Sequence, residues 1–176
     1  PSYYQADIPD KVPTKTFKVY PFPDREIPEV FWYENGLVCS LTYQKKEAPL
    51  IFIIAGTGAR HNSPKMVNMQ RALYQAGYHV ISLTSPTHMN FIINASSTMT
   101  PGNLREDAKD LYKVMQLAMA EVKDDIKVSS YSLTGYSLGG IQSAFVSMLD
   151  EEKKVFDFER VLLINPPVNL YTSVNI

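Results

Sequence analysis

Ser130-Tyr131-Ser132-Leu133-Thr134-Gly135-Tyr136-Ser137-Leu138-Gly139-Gly140 is the stretch from which the rest of the chain can be read. Ser130–Thr134 has the texture of a strand and Leu138–Leu149 that of a helix. Between them Gly135-Tyr136-Ser137-Leu138-Gly139 fits the pattern G-x-S-x-G. A chain that turns this sharply from strand into helix holds the serine in a strained backbone conformation, and only small residues fit two positions away on either side. The hydroxyl then stands at the top of a sheet, where the helix N-terminus favours the negative charge of an acyl transfer. The same letters also suit a glycine-rich helix start in which Gly139 and Gly140 only let helix and sheet pack closely. The position of the stretch in the chain separates these readings.

Upstream, Leu50–Ala55 is a continuous apolar run, as expected of a strand covered on both faces. A helix follows, with Ser63 as N-cap, Pro64 at its first position and Gly77 as its stop. His79–Leu83 is the next strand, and a long polar loop runs from about Thr84 to Gly102. Asn103 and Glu106 resemble a capping box. After it Leu104, Ala108, Leu111, Met115, Ala118 and Val122 form an apolar stripe at helical spacing. Downstream, Arg160–Asn165 is another buried strand. The alternation predicts an α/β fold: a mostly parallel sheet with helices on both faces. Ser137 follows its third parallel strand.

The start of the chain reads differently. Residues 1–28 are proline-rich and aperiodic, and read as an extended arm lying over the core of a domain formed by 29–176. Val30–Tyr33 and Leu37–Tyr43, joined across Glu34-Asn35-Gly36, predict an antiparallel hairpin at the start of the sheet. Trp32 in that hairpin is expected to pack in the core or under the arm.

Acyl transfer needs two N–H groups aimed at the developing oxyanion. One normally comes from the residue after the nucleophile, here Leu138. The other comes from the loop after the first buried strand, here Ala55-Gly56-Thr57-Gly58. On these two motifs residues 29–167 resemble the α/β-hydrolase superfamily, especially its bacterial esterase and lipase-like members. Ala-Gly-Thr-Gly stands where that superfamily often has His-Gly-x-x. The resemblance implies Thr57 as the second donor, with Gly58 as its substitute. It implies hydrolysis of a carboxylic ester or thioester, a small-molecule acyl substrate, and no cofactor or metal. Acyl transfer to another acceptor would use the same residues, and a non-catalytic binding protein would use the same fold. A dinucleotide fingerprint is a poor match, because His61 replaces its third glycine and no acid closes the strand at Leu83-Thr84-Ser85.

In that superfamily the triad runs Ser, then Asp or Glu, then His. His61, His79 and His88 all precede Ser137. Asp150, Glu151 and Glu152 end a helix, while Asp157 and Glu159 precede the last strand, at the wrong end of a sheet whose sites gather at strand carboxyl ends. A solvated role is expected for all five. Asn165-Pro166-Pro167-Val168-Asn169, at the correct end, holds no carboxylate. The acid and histidine are therefore expected beyond Ile176, on strands that this chain lacks. Val161–Ile164 would then be an open apolar edge, suited to pairing with a C-terminal fragment or a second chain.

The loop Ser85–Phe91 leaves a strand at its carboxyl end and should border the site. There His88 either contacts substrate or packs in the loop. Tyr136, beside the serine, is expected to line the site from below.

With 45% apolar and 20% charged residues the chain suits one globular domain, and its net charge of -1 gives no footprint for nucleic acid. No apolar run approaches the ~18 residues of a membrane span. Cys39 has no partner for an internal disulfide and reads as a small buried hydrophobe. The chain opens at Pro1, so a leader could have been removed, and the compartment stays open.

Overall fold

The computed structural model describes residues 9–167. Its strands are β1 (Thr14–Val19), β2 (Leu37–Thr42), β3 (Ala48–Ile54), β4 (His79–Leu83), β5 (Val128–Tyr136) and β6 (Arg160–Ile164). Its helices are α1 (Pro64–Gln75), α2 (Met89–Asn94), α3 (Leu104–Val122) and α4 (Leu138–Lys153). The strands form one sheet in the order β1-β2-β4-β3-β5-β6. β4, β3, β5 and β6 are parallel, while β2 joins β4 and β1 joins β2 antiparallel.

Alternation along β3 builds the two faces. Leu50, Phe52 and Ile54 join a core with Leu111, Met115 and Ala118 of α3 and Val146 of α4, while Ile51, Ile53 and Ala55 pack with Met66 of α1. Each of these residues is no more than 6% exposed. That double cover explains why the strand is apolar throughout. Cys39 is fully buried in the larger core, and burial pushes its thiol up to about 12.

The antiparallel start differs from the expected hairpin. Val30–Tyr33 is not a strand: Glu29–Glu34 forms a short 3-10 helix with Val30 70% and Trp32 75% exposed. Trp32 packs edge-on against Tyr33 and not in the core. The partner of β2 is β1, from the proline-rich arm, with Phe17 opposite Cys39 and Val19 opposite Leu37. Long-range bonds from two asparagines hold the 3-10 segment in its place. Asn94 donates to the Glu34 carbonyl at 2.6 Å and accepts from Gly36 N–H at 2.8 Å, and Asn90 donates to the Gly36 carbonyl at 3.1 Å. Both asparagines are in α2, within the stretch expected to be a loop.

Helix signals held in part. Asn103 caps α3 by accepting from the N–H groups of Arg105 and Glu106. Ser63 occupies the N-cap of α1, but its hydroxyl makes no cap bond and is buried without a partner among the described residues. Gly77 follows α1 with φ 95°, the left-handed conformation that glycine adopts without strain. Asp150 is a correction to the solvated reading: it is 2% exposed and accepts from Tyr112 Oη and from the N–H groups of Phe156 and Phe158. It ties the end of α4 to the turn before β6. In β6, Val161, Leu162 and Leu163 are 39%, 57% and 38% exposed, and β5 is the strand's single sheet neighbour among the described residues. Val168 and Asn169 lie outside the described residues.

Candidate active site

The chain leaves β3 for β4 on one side, then crosses back over β3 to β5 on the other. The carboxyl ends of β3 and β5 therefore flank a topological switch point, where open α/β sheets form their ligand crevice. Ile54 pairs with Gly135 at the last shared rung. Residues 55–58 leave that rung from one strand and residues 136–139 from the other.

Ser137 sits at φ 54° and ψ -125°, outside the regions that residues with a Cβ ordinarily occupy. The tight approach of neighbouring backbone enforces this. A Cβ on Gly135 would stand 2.2 Å from the Gly139 carbonyl oxygen, and one on Gly56 would meet the Tyr136 ring at 2.6 Å. Ser137 N–H donates to the Ile164 carbonyl at 2.9 Å, which fixes the turn against β6. The Ser137 side is exposed, and no side chain among the described residues bonds its hydroxyl.

The loop after β3 is a tight turn in which Ala59 N–H donates to the Gly56 carbonyl at 3.0 Å, with Gly58 at φ 66°. Gly58 N–H donates to Thr87 Oγ1 at 2.8 Å. Thr57 is exposed, and its N–H has no hydrogen-bond partner among the described residues. Leu138 begins α4, so its N–H has no intrahelical acceptor. Tyr136 is half-buried over Gly56, with Lys65 Nζ 4.7 Å from its ring centroid.

None of the three histidines is bonded to Ser137. His88 is the N-cap of α2, its Nδ1 accepting from Asn90 N–H at 3.0 Å. His79 lies at the opposite end of the sheet, accepting from Gln44 N–H through Nδ1 while Nε2 reaches the Lys127 carbonyl. His61 is 4% exposed, and burial, with Arg60 and His88 nearby, lowers its pKa to about 4. Burial also lowers the pKa of His79 and His88. Arg60 pairs with the buried Glu34 at 3.0 Å, joining the loop after β3 to the 3-10 segment. Residue types alone gave no sign of this link.

Comparison with solved structures fits this architecture. Brefeldin A esterase, a bacterial homologue of human hormone sensitive lipase, superposes with a TM-score of 0.62 at 13% identity over 99% of this chain and 47% of its own. The fold is that of the α/β-hydrolases. The hyperthermophilic esterase of the archaeon Pyrobaculum calidifontis gives 0.56 at 17% identity, over 89% of this chain and 46% of its own. EstE1, a thermophilic carboxylesterase cloned from a metagenomic library, gives 0.54 at 19%, over 91% and 50%. The chain thus spans about half the length of these α/β-hydrolase structures. No protein-family model and no curated protein matches the sequence. Among the described residues, no helix is long and apolar enough to cross a membrane.

Proposed function

We propose that this chain carries the nucleophile and oxyanion-binding half of a carboxylic ester hydrolase, with Ser137 forming the acyl-enzyme. The observation that carries the reading is the strained backbone of Ser137 at the switch point, beside a loop whose Thr57 N–H has no partner among the described residues. Strain of this kind persists only where the surrounding structure over-determines it, and it clusters at reactive positions.

Ser137 Oγ attacks the ester carbonyl, and the Thr57 and Leu138 N–H groups receive the charge that builds on its oxygen. The bond to the alcohol or thiol leaving group breaks, and that group departs with the proton taken from serine. Water then attacks the acyl-enzyme and releases the acid. Gly58 is the weaker candidate for the second donor, because its N–H is already held by Thr87. Tyr136 forms the wall of the site under Gly56, and any contact from His88 to substrate falls to Nε2, since Nδ1 is engaged. In this reading the base and its carboxylate partner belong to the half of the fold that this chain does not span. The open apolar edge of β6 supports pairing with a further strand, from that part of the parent chain or from a second chain.

The test is hydrolysis of a short-chain aryl ester by the full-length protein. Ser137→Ala should lower kcat by about a thousandfold or more with folding intact. A variant that keeps its turnover would overturn the reading.

A further inference from the structure

We propose that Thr87 is a positioning residue for the oxyanion-binding loop, holding in place, through Gly58, the turn that carries Thr57 N–H. This inference rests on the acyl-enzyme reading above.

The loop is held from one side by the segment that leaves β4. Thr87 Oγ1 accepts from Gly58 N–H at 2.8 Å, and Ser85 N–H donates to the Ala59 carbonyl at 3.0 Å. Thr87 is itself fixed, with its hydroxyl 2.9 Å from Ser85 Oγ, and Ser85 is fully buried. Ser85 in turn anchors its own loop by accepting from His88 N–H at its carbonyl.

Gly56-Thr57-Gly58-Ala59 has a four-residue turn bond and a positive φ at its third position, the features of a type II turn. Its central peptide joins Thr57 to Gly58. A glycine at the third position also tolerates the type I conformation, in which that peptide is flipped. The flip would swing Gly58 N–H away and bring the Thr57 carbonyl oxygen to the side where Thr87 now waits. The bond from Gly58 N–H would be lost, and Thr87 would have to turn its own O–H toward that oxygen instead. The bond from Gly58 N–H to Thr87 is therefore made only in the type II form.

The consequence falls on Thr57 N–H. The Gly56 carbonyl is drawn into the turn by Ala59 N–H, and in a trans peptide the N–H that follows points the opposite way. Both turn types share that bond, so Thr57 N–H moves with the turn as a whole, and Thr87 fixes where the turn sits by tying Gly58 to the segment after β4. Thr87 does not touch the substrate in this account. It keeps a donor oriented before the charge arrives, so that no reorganisation is needed in the transition state.

The experiment compares wild type, Thr87→Val, Thr87→Ala and Thr87→Ser in the full-length protein, measuring kcat and KM on an aryl ester. Thr87→Val keeps the shape and removes the acceptor. Its kcat should fall about tenfold while KM stays within about twofold, as for an interaction made in the transition state. Thr87→Ala, which adds no bulk, should fall as far. Thr87→Ser, which restores the oxygen, should recover at least about a third of the wild-type kcat, a pattern that loss of packing does not produce. Wild-type kcat in both Thr87→Val and Thr87→Ala, or a serine variant as slow as the valine one, overturns the role of Thr87. A wild-type protein with no Ser137-dependent turnover overturns the acyl-enzyme reading, and this inference with it.

Discussion

Gly139 sits so close beneath the end of β3 that a methyl group on its α-carbon would stand 2.2 Å from the Ile54 carbonyl oxygen. The obstacle is backbone, so no side chain can swing aside to make room. Gly139→Ala is therefore expected to lower unfolding stability by about 3 kcal/mol or more, at the upper end of overpacking costs. Gly135→Ala, which would press on the Gly139 carbonyl at the same distance, should cost as much. Urea unfolding of the two variants measures this directly. Near-native stability in either would mean that the turn is looser than described.

Strain at Ser137 gives an effect of opposite sign. Alanine keeps the Cβ that makes φ 54° unfavourable, whereas glycine removes it. Ser137→Gly should be more stable than Ser137→Ala by about 1 kcal/mol, the strain relieved less the extra chain entropy of glycine. Both should be inactive. Thermal melts that rank alanine above glycine would argue against a strained serine.

His61 sets a pH dependence. Its folded pKa is about 4, below the ordinary 6.5, because burial opposes the charged form. As pH falls through 6.5 the unfolded chain takes up a proton that the folded chain refuses until about pH 4. Stability is thus lost progressively across that window, by up to about 3 kcal/mol for this residue. His79 and His88 are shifted in the same direction and add to the same trend. The difference between wild type and His61→Gln isolates the residue from the other titrating groups. Unfolding free energies at pH 5 and pH 7 should show a shallower slope in the variant. Equal slopes would mean that His61 takes up its proton in the folded state as easily as in water.

The parallel half of the sheet was legible because most signals there are local. Leu50–Ala55 is apolar at every position because both faces are covered, and Gly135 answers to Gly139 within a single turn, although Gly139 itself answers to the end of β3. Val30–Tyr33 failed for the complementary reason. Its aromatic and β-branched residues suit a strand, but its backbone is held by Asn90 and Asn94 from α2, and nothing in the segment itself announces those partners. β1 was hidden among prolines that flank it at Pro13 and Pro21 without interrupting it, a placement that edge strands tolerate. Asp150 looked like a helix-end charge because its chief partner, Tyr112, lies 38 residues away in sequence.

In the candidate site, the strand, turn and helix around Ser137 could be read from spacing, while the loop after β3 was an expectation from the resemblance. The link from Thr87 to Gly58 could not, although Ser85-Pro86-Thr87 leaves a strand end where a site border is expected. A threonine in a loop carries no mark of which N–H it will accept. Only the fold brings the loops after β3 and β4 together.

The most direct measurement is covalent labelling of the full-length protein by a fluorophosphonate, followed by peptide mapping. The account predicts one adduct, on Ser137, which disappears in Ser137→Ala. A folded protein that hydrolyses esters while Ser137 stays unmodified would contradict it.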